Sequence, residues 1–326
     1  MEKPMGTVGL VDSTYDNALE NVRRVVKEAG GFPFQSGDAV AIKINMCDAR
    51  TPDTGTITHP LFLDALLAHL RESYESLRIF VVESDATVVL ADRFIQWFGY
   101  MPVLNRWGAE WHNLSRNGVV EVPVKGYYLQ QVPVPTLLTT ARLLSLSKLK
   151  TNSLSTITCA LKNQFGCLPM VQKSVYHDHL AEVIADVNCA MPPAFSIVDG
   201  ILGQGTARGP AFGIPVRANV ILAGRDPVSV DCAAARQMGF NPAGIKHIRL
   251  SEKAGVGAME YTLAGDPMRK VDFQVSGLDD FQFRVARALR KFYQVKLRPR
   301  RKGIVQASVE KAPSHPSVHP TASSGD

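Results

Sequence analysis

Short apolar runs alternate with amphipathic stripes along most of the chain. Runs rich in Val, Ile and Leu occur at 7–11 ("TVGLV"), 39–45 ("AVAIKIN") and 77–84 ("LRIFVVES"). Each has strand length and polar or Gly boundaries, so each predicts a buried strand. Between them, apolar residues recur at helical spacing. Tyr15, Ala18, Leu19, Val22, Val25, Val26 and Ala29 form one stripe, ended by Gly30-Gly31. Pro60 opens a helix rich in Leu and Ala, and "ADRFIQWF" (91–98) predicts another. Further on, 141–147, 194–200 and 217–224 read as strands, and 178–190 and 228–239 as helices. "TITCALKNQFGCLP" (156–169) reads as the apolar face of one buried helix. The alternation predicts an α/β fold, a mainly parallel sheet with helices on both faces.

Three segments stand apart from this pattern. Residues 100–140 are frequent in Tyr, Trp, Pro and Gly and carry short β-like runs, which predicts a small β-rich insertion. Residues 279–297, "DDFQFRVARALRKFYQVKL", predict an amphipathic C-terminal helix. Residues 299–326 are rich in Pro and Ser and are expected to be disordered. The organisation expected is a single α/β domain over 1–277, a basic helix over 278–298 and a tail over 299–326.

Composition narrows the classes. The chain has 326 residues, 45% of them hydrophobic, enough for a large core. No apolar run approaches the roughly 18–20 residues that cross a bilayer, and no secretory h-region follows the N-terminus. The five cysteines, Cys47, Cys159, Cys167, Cys189 and Cys232, form no Cys-x-x-Cys pair. They are expected to be free thiols in a reducing cytoplasm, and no iron–sulfur cluster is expected from this chain. Residues 284–302 carry nine Lys or Arg and no acid, which leaves −3 on the rest of a chain whose total is +6. A mildly acidic body is not that of a specific nucleic-acid binder. The basic segment 279–302 has Phe281, Val285, Leu289 and Phe292 at helical spacing. That pattern fits contact with an anionic membrane surface as well as docking on the domain.

The candidate chemistry lies at strand ends. In parallel α/β sheets, ligands bind beyond the carboxyl ends of the strands. There the sequence places Lys43 and Asn45, Glu83, Lys148 and Lys150, Asp199, and Asp226 with Asp231 a turn later. Lys162-Asn163 stand inside the otherwise apolar stretch 156–169, where an unpartnered ammonium is costly. "DGILGQGTARGPAFG" (199–213) contains Gly205 and Arg208 and suits an anion-binding loop. His177 is part of a His-x-His, and His59, Glu83, His177 and Asp199 would make a mixed N/O metal set if they met. Asp226-Pro227 is also a good helix opening, with Asp at the N-cap and Pro next.

These blocks, in order, resemble one family. Lys-x-Asn at a strand end, Thr-His-Pro, "VVES", "LSKLKTN", "CALKNQFGCLP", a downstream His, "IVDGILGQG" and "LAGRDPVSVDCAAARQMGF" are similar to the domain-of-unknown-function 362 family over about 6–257. The resemblance implies a fold distantly similar to the N-terminal part of nickel-dependent lactate racemase. It also implies Lys43, Asn45, Lys148, Lys150, Lys162, Asn163, His177, Asp199, Asp226 and Asp231 as site residues. Many members carry ferredoxin-like Cys clusters, which this chain lacks, so any electron transfer would need an external redox partner. The expectation is an enzyme acting on a small anionic metabolite, a carboxylate or phosphate, of redox or isomerase type by family analogy. Lys162, His177, Glu83 and Lys43 are the expected catalytic groups. Asn45, Lys148, Lys150, Asn163, Gly205, Arg208 and Asp226 would bind substrate, and Asp199 and Asp231 a divalent metal. The alternative is a non-catalytic protein that binds or assembles an anionic cofactor or metal centre.

Overall fold

The computed structural model describes residues 6–205 and 213–273. The chain divides into two units, Met1–Asp280 and Phe281–Asp326, and all described residues belong to the first. Arg208, the basic helix with its membrane-facing reading, and the tail lie outside the described residues.

The alternation read from the sequence is present. Strand β1 (Gly6–Asp12) leads to helix α1 (Ala18–Glu28), and β2 (Ala39–Lys43) to α2 (Pro60–Ser73). Strand β3 (Arg78–Glu83) is followed by α3 (Ala91–Trp97), α4 (Tyr100–Trp107) and β4 (Glu110–Asn113). Strands β5 (Val119–Pro123) and β6 (Gln131–Pro135) precede α5 (Thr136–Thr140). Then come β7 (Arg142–Asn152), β8 (Thr156–Thr158), α6 (Ala160–Asn163) and α7 (Leu180–Ala190). The series closes with β9 (Phe195–Gly205), β10 (Ile214–Val216), β11 (Val220–Gly224), α8 (Pro227–Gln237), α9 (Lys246–Lys253) and β12 (Tyr261–Gly265).

The main sheet has the order β12-β1-β11-β9-β7-β2-β3-β4, with β10 beside β9 and β8 beside β7. Strands β9, β7, β2, β3 and β4 pair parallel, whereas β11 runs antiparallel to both β9 and β1. One face is buried under α1–α4, where Val22, Leu66, Phe94 and Leu104 pack with Ile42, Val81 and Leu144. On the other face Leu161, Val183, Val230 and Ile248 pack with Ala41, Val82 and Val198. The sheet is therefore mainly parallel and covered on both faces, as the apolar runs imply.

Chain order reverses beside β2. From β2 the path steps outward through β3 to β4, then returns to place β7 on the other side of β2, followed by β9. The boundary between β2 and β7 is thus a topological switch point, where the crevice beyond the strand ends opens.

Three expectations need correction. Residues 100–140 are not simply a β-rich insertion: 100–107 form α4, β4 is the edge of the main sheet, and only β5 and β6 make a separate hairpin. Gly99 and Gly108, at φ 81° and 59°, allow the turns that bound α4. Residues 156–169 are not one helix. Thr156, Ile157 and Thr158, all β-branched, extend β7 by a short hairpin before the single turn of α6 and a 3-10 turn over Gln164–Cys167. Finally, β11 is antiparallel, so Gly224 pairs with Ser196 at the amino end of β9. Asp226 therefore lies at the rim opposite the ends of β2, β7 and β9.

Candidate functional site

The site grows out of four adjacent strands. Taken across the sheet in the order β3, β2, β7, β9, they bring Glu83, Lys43, Lys148 with Lys150, and Asp199 to one rim. Lys148 and Asp199 are direct partners in the β7–β9 register, and their side chains meet at 2.8 Å, both fully buried. Asp199 also accepts from the Tyr15 hydroxyl at 3.3 Å and from the Ile201 amide at 3.1 Å. Lys43 meets Glu83 at 2.8 Å and donates to the Ile44 carbonyl at 2.7 Å. Glu83 further accepts from the Met46 and Ser84 amides, each at 2.9 Å. Both carboxylates are thus saturated, as a buried ion pair requires.

The β7–β9 register shifts between Lys148, opposite Asp199, and Lys150, opposite Gln204, with the extra residues on β9. Lys150 donates to Asn45 Oδ1 at 2.6 Å, the Thr56 carbonyl at 2.7 Å and Cys47 Sγ at 3.0 Å. Asn45 donates to Asn163 Oδ1 at 3.0 Å, and Asn163 donates to the Lys43 carbonyl at 2.9 Å and Ser145 Oγ at 3.2 Å. Asn45 and Asn163 are therefore a relay that locks α6 to the ends of β2 and β7.

Lys162, beside Asn163, is the exception. Among the described residues its ammonium makes no hydrogen bond and no ion pair. The side chain is half-buried. Burial first, and then the charge of Lys150, push its pKa down from 10.5 to about 8. Lys43 adds to this effect, and the Cys47 thiol opposes it.

Asp231 explains why this lysine sits where it does. Its carboxylate, on α8, accepts from the Ala160 amide at 2.7 Å and the Leu161 amide at 3.3 Å, capping the turn that carries Lys162. Burial raises the Asp231 pKa, with the two amides and His247, 3.7 Å away, working against it. Gly166, two residues after Gln164, leaves room for the neighbouring pair. A Cβ there would stand 2.7 Å from Lys43 Nζ and 3.1 Å from Glu83 Oε1.

Other expected residues fall elsewhere. His177 is exposed on the 3-10 segment Lys173–His179, while the lysine cluster is largely buried. Asp226 caps α8, accepting from Val228 at 2.8 Å and Ser229 at 3.1 Å, and also takes the Ala258 amide at 2.8 Å. It caps α8 at the rim opposite the lysine cluster, away from the residues with which it was expected to converge. Gly205 ends β9 opposite Ile214. Asp199 is engaged by Lys148, and Asp231 by the amides that open α6. Among the described residues no three His, Cys, Asp or Glu cluster as metal ligands, so His59, Glu83, His177 and Asp199 do not meet as a set.

The structure adds residues that pattern reading passed over. Tyr15 stacks on His59 at 4.1 Å, against the Lys148–Asp199 pair. Burial and Asp199 push its phenol pKa up, and burial pushes His59 down. The His59 Nδ1 accepts from the Leu61 amide at 3.2 Å, which leaves the proton of the neutral ring on Nε2. Lys173 is buried, donates to the Asp85 carbonyl at 2.6 Å and has a pKa lowered to about 8 by burial. Its place in a polar segment resembling a solvated loop hid it.

The chain matches the family model described as Domain of unknown function (DUF362) over residues 40–236. This chain belongs to the DUF362 family. The matched span holds every member of the lysine cluster from Lys43 to Lys173, with Asp199 and Asp231. Its five cysteines are free. A relative, the thylakoid-associated protein sll1697 of Synechocystis sp. (strain ATCC 27184 / PCC 6803 / Kazusa), is 24% identical over 258 residues, 73% of this chain and 75% of that protein. Among solved structures, the lactate racemase apoprotein from Thermoanaerobacterium thermosaccharolyticum is similar with a TM-score of 0.37 and 13% identity. That match covers 61% of this chain and 52% of the racemase, so the chain spans about half of that protein. No described helix is long and apolar enough to cross a membrane.

Proposed function

We propose that this DUF362 protein is an enzyme whose site, at the β2–β7 switch point, takes a small anionic metabolite, a carboxylate or phosphate. The observation that carries the proposal is Lys162, an ammonium without a partner among the described residues, held near Lys150 at a rim where Glu83 and Asp199 are already engaged. Packing gains nothing from such a charge, but an anion would complete it.

The chemistry follows from the same residue. An amine with a pKa near 8 is neutral in roughly a tenth of molecules at pH 7, enough to accept a proton or attack a carbonyl carbon. Lys150 supplies a fixed positive charge for a developing oxyanion or enolate. Glu83, held by Lys43 and two amides, and His177, exposed elsewhere, give up to Lys162 the acid–base part expected of them. The Lys43–Glu83 and Lys148–Asp199 pairs fix the strand ends that carry the site. Proton transfer next to a carboxylate, of isomerase type, fits this equipment best. The free thiols fit a cytoplasmic setting.

Amine acylation followed by peptide mass spectrometry tests this. Lys162 should label with a midpoint near pH 8 and be protected by millimolar malonate or phosphate. A midpoint near that of exposed lysines, with no protection by either anion, overturns the proposal.

A further inference from the structure

The charge balance of the cluster narrows the class of ligand, an inference that rests on the anion-site reading above. Lys43 is neutralised by Glu83 and Lys148 by Asp199, each pair at 2.8 Å. Neither carboxylate has a free lobe for a third cation, because Glu83 also takes two amides and Asp199 a phenol and an amide. Asp231, the other buried acid near α6, is committed to the Ala160 and Leu161 amides. Among the described residues two neighbouring ammonium groups remain without a carboxylate partner: Lys150, held by Asn45, the Thr56 carbonyl and the Cys47 sulfur, and Lys162, which has no hydrogen bond or ion pair.

We propose that the ligand is a small dianion, a dicarboxylate or phosphate-type group whose two negative charges match Lys150 and Lys162. Lys162 contributes three unused N–H donors. Lys150 contributes mainly its charge, since two of its donors are held at 2.6 and 2.7 Å by Asn45 and Thr56 and only the softer Cys47 contact is readily exchanged for an anion oxygen. A monoanion would leave one buried cation uncompensated. Asn45 ties the two together: it accepts from Lys150 at 2.6 Å and donates at 3.0 Å to Asn163, the residue next to Lys162, and the charge of Lys150 adds to the lowering of the Lys162 pKa.

Titration calorimetry on the full chain at pH 7 and low salt tests the idea with acetate, malonate and inorganic phosphate. Malonate should bind at least about tenfold more tightly than acetate, as one additional close charge pair implies. Phosphate should also outbind acetate. In Lys162→Met the malonate-to-acetate ratio should fall to near one. A preference for malonate that is absent from the wild type and appears only in Cys47→Ala would mean that the Cys47 sulfur supplies the second charge, and would overturn the proposal. Equal affinity for acetate and malonate would also overturn it, while leaving the anion site standing. Failure of all three anions to bind, with Lys162 unprotected from acylation, would remove both.

Discussion

Replacing Lys162 with methionine should stabilise the protein at neutral pH and erase part of its pH dependence. Methionine keeps most of the apolar stem and removes the ammonium. In the folded chain the lysine pKa falls from 10.5 to about 8. At 1.36 kcal/mol per pH unit, and allowing for residual solvent contact, this is roughly 2–3 kcal/mol of penalty on the charged form. The folded value lies below the unfolded one. Between about pH 8 and 10.4 the unfolded chain therefore holds a proton that the folded chain lacks, and stability rises with pH across that window. Below it both states are protonated and the whole penalty is present; above it the penalty is gone. The Lys162→Met gain should thus be largest at pH 7 and shrink towards zero by about pH 10.5. Urea unfolding of both proteins at pH 7, 8, 9 and 10 measures it. Lys173 titrates in the same window, so the difference between the two proteins, not either slope alone, is diagnostic. A gain that does not vary with pH, or a Met variant less stable at pH 7, would refute the unpartnered ammonium.

Other variants probe the frame around it. Lys148→Met leaves Asp199 buried and uncompensated and should cost about 3–5 kcal/mol in urea unfolding, whereas Lys148→Met with Asp199→Leu should recover most of that. Asp231→Asn removes one acceptor from the start of α6 and should cost about 1–3 kcal/mol in urea unfolding. Gly166→Ala drives a methyl against the Lys43–Glu83 pair and should destabilise by about 1–3 kcal/mol with a matching loss of malonate affinity. Thr156, exposed and held at φ 69°, is strained for a β-branched residue, so Thr156→Asn should raise stability by about 1 kcal/mol.

The sequence made the lysines legible because each interrupts an apolar run at its carboxyl end, and period-two spacing joins Lys43 to Asn45 and Lys148 to Lys150. Lys162 and Asn163 stood out for the same reason inside an apolar stretch. Strand direction was not legible. The run at 217–224 looks alike in either orientation, and the antiparallel pairing of β11 is what carries Asp226 to the far rim. Partners separated by long stretches were also hidden: Asp231 capping α6, and the Thr56 carbonyl that takes Lys150, exist only through tertiary packing. Tyr15 read as one position in a helix stripe, yet it stands before α1 begins and reaches Asp199.

The most direct measurement is diffraction from crystals of the full chain grown with malonate. The account predicts a bound dianion at the β2–β7 switch point with a carboxylate oxygen within hydrogen-bond distance of Lys162 Nζ. A Lys162 ammonium found paired to a carboxylate of the protein itself, with malonate absent from that rim, would contradict it.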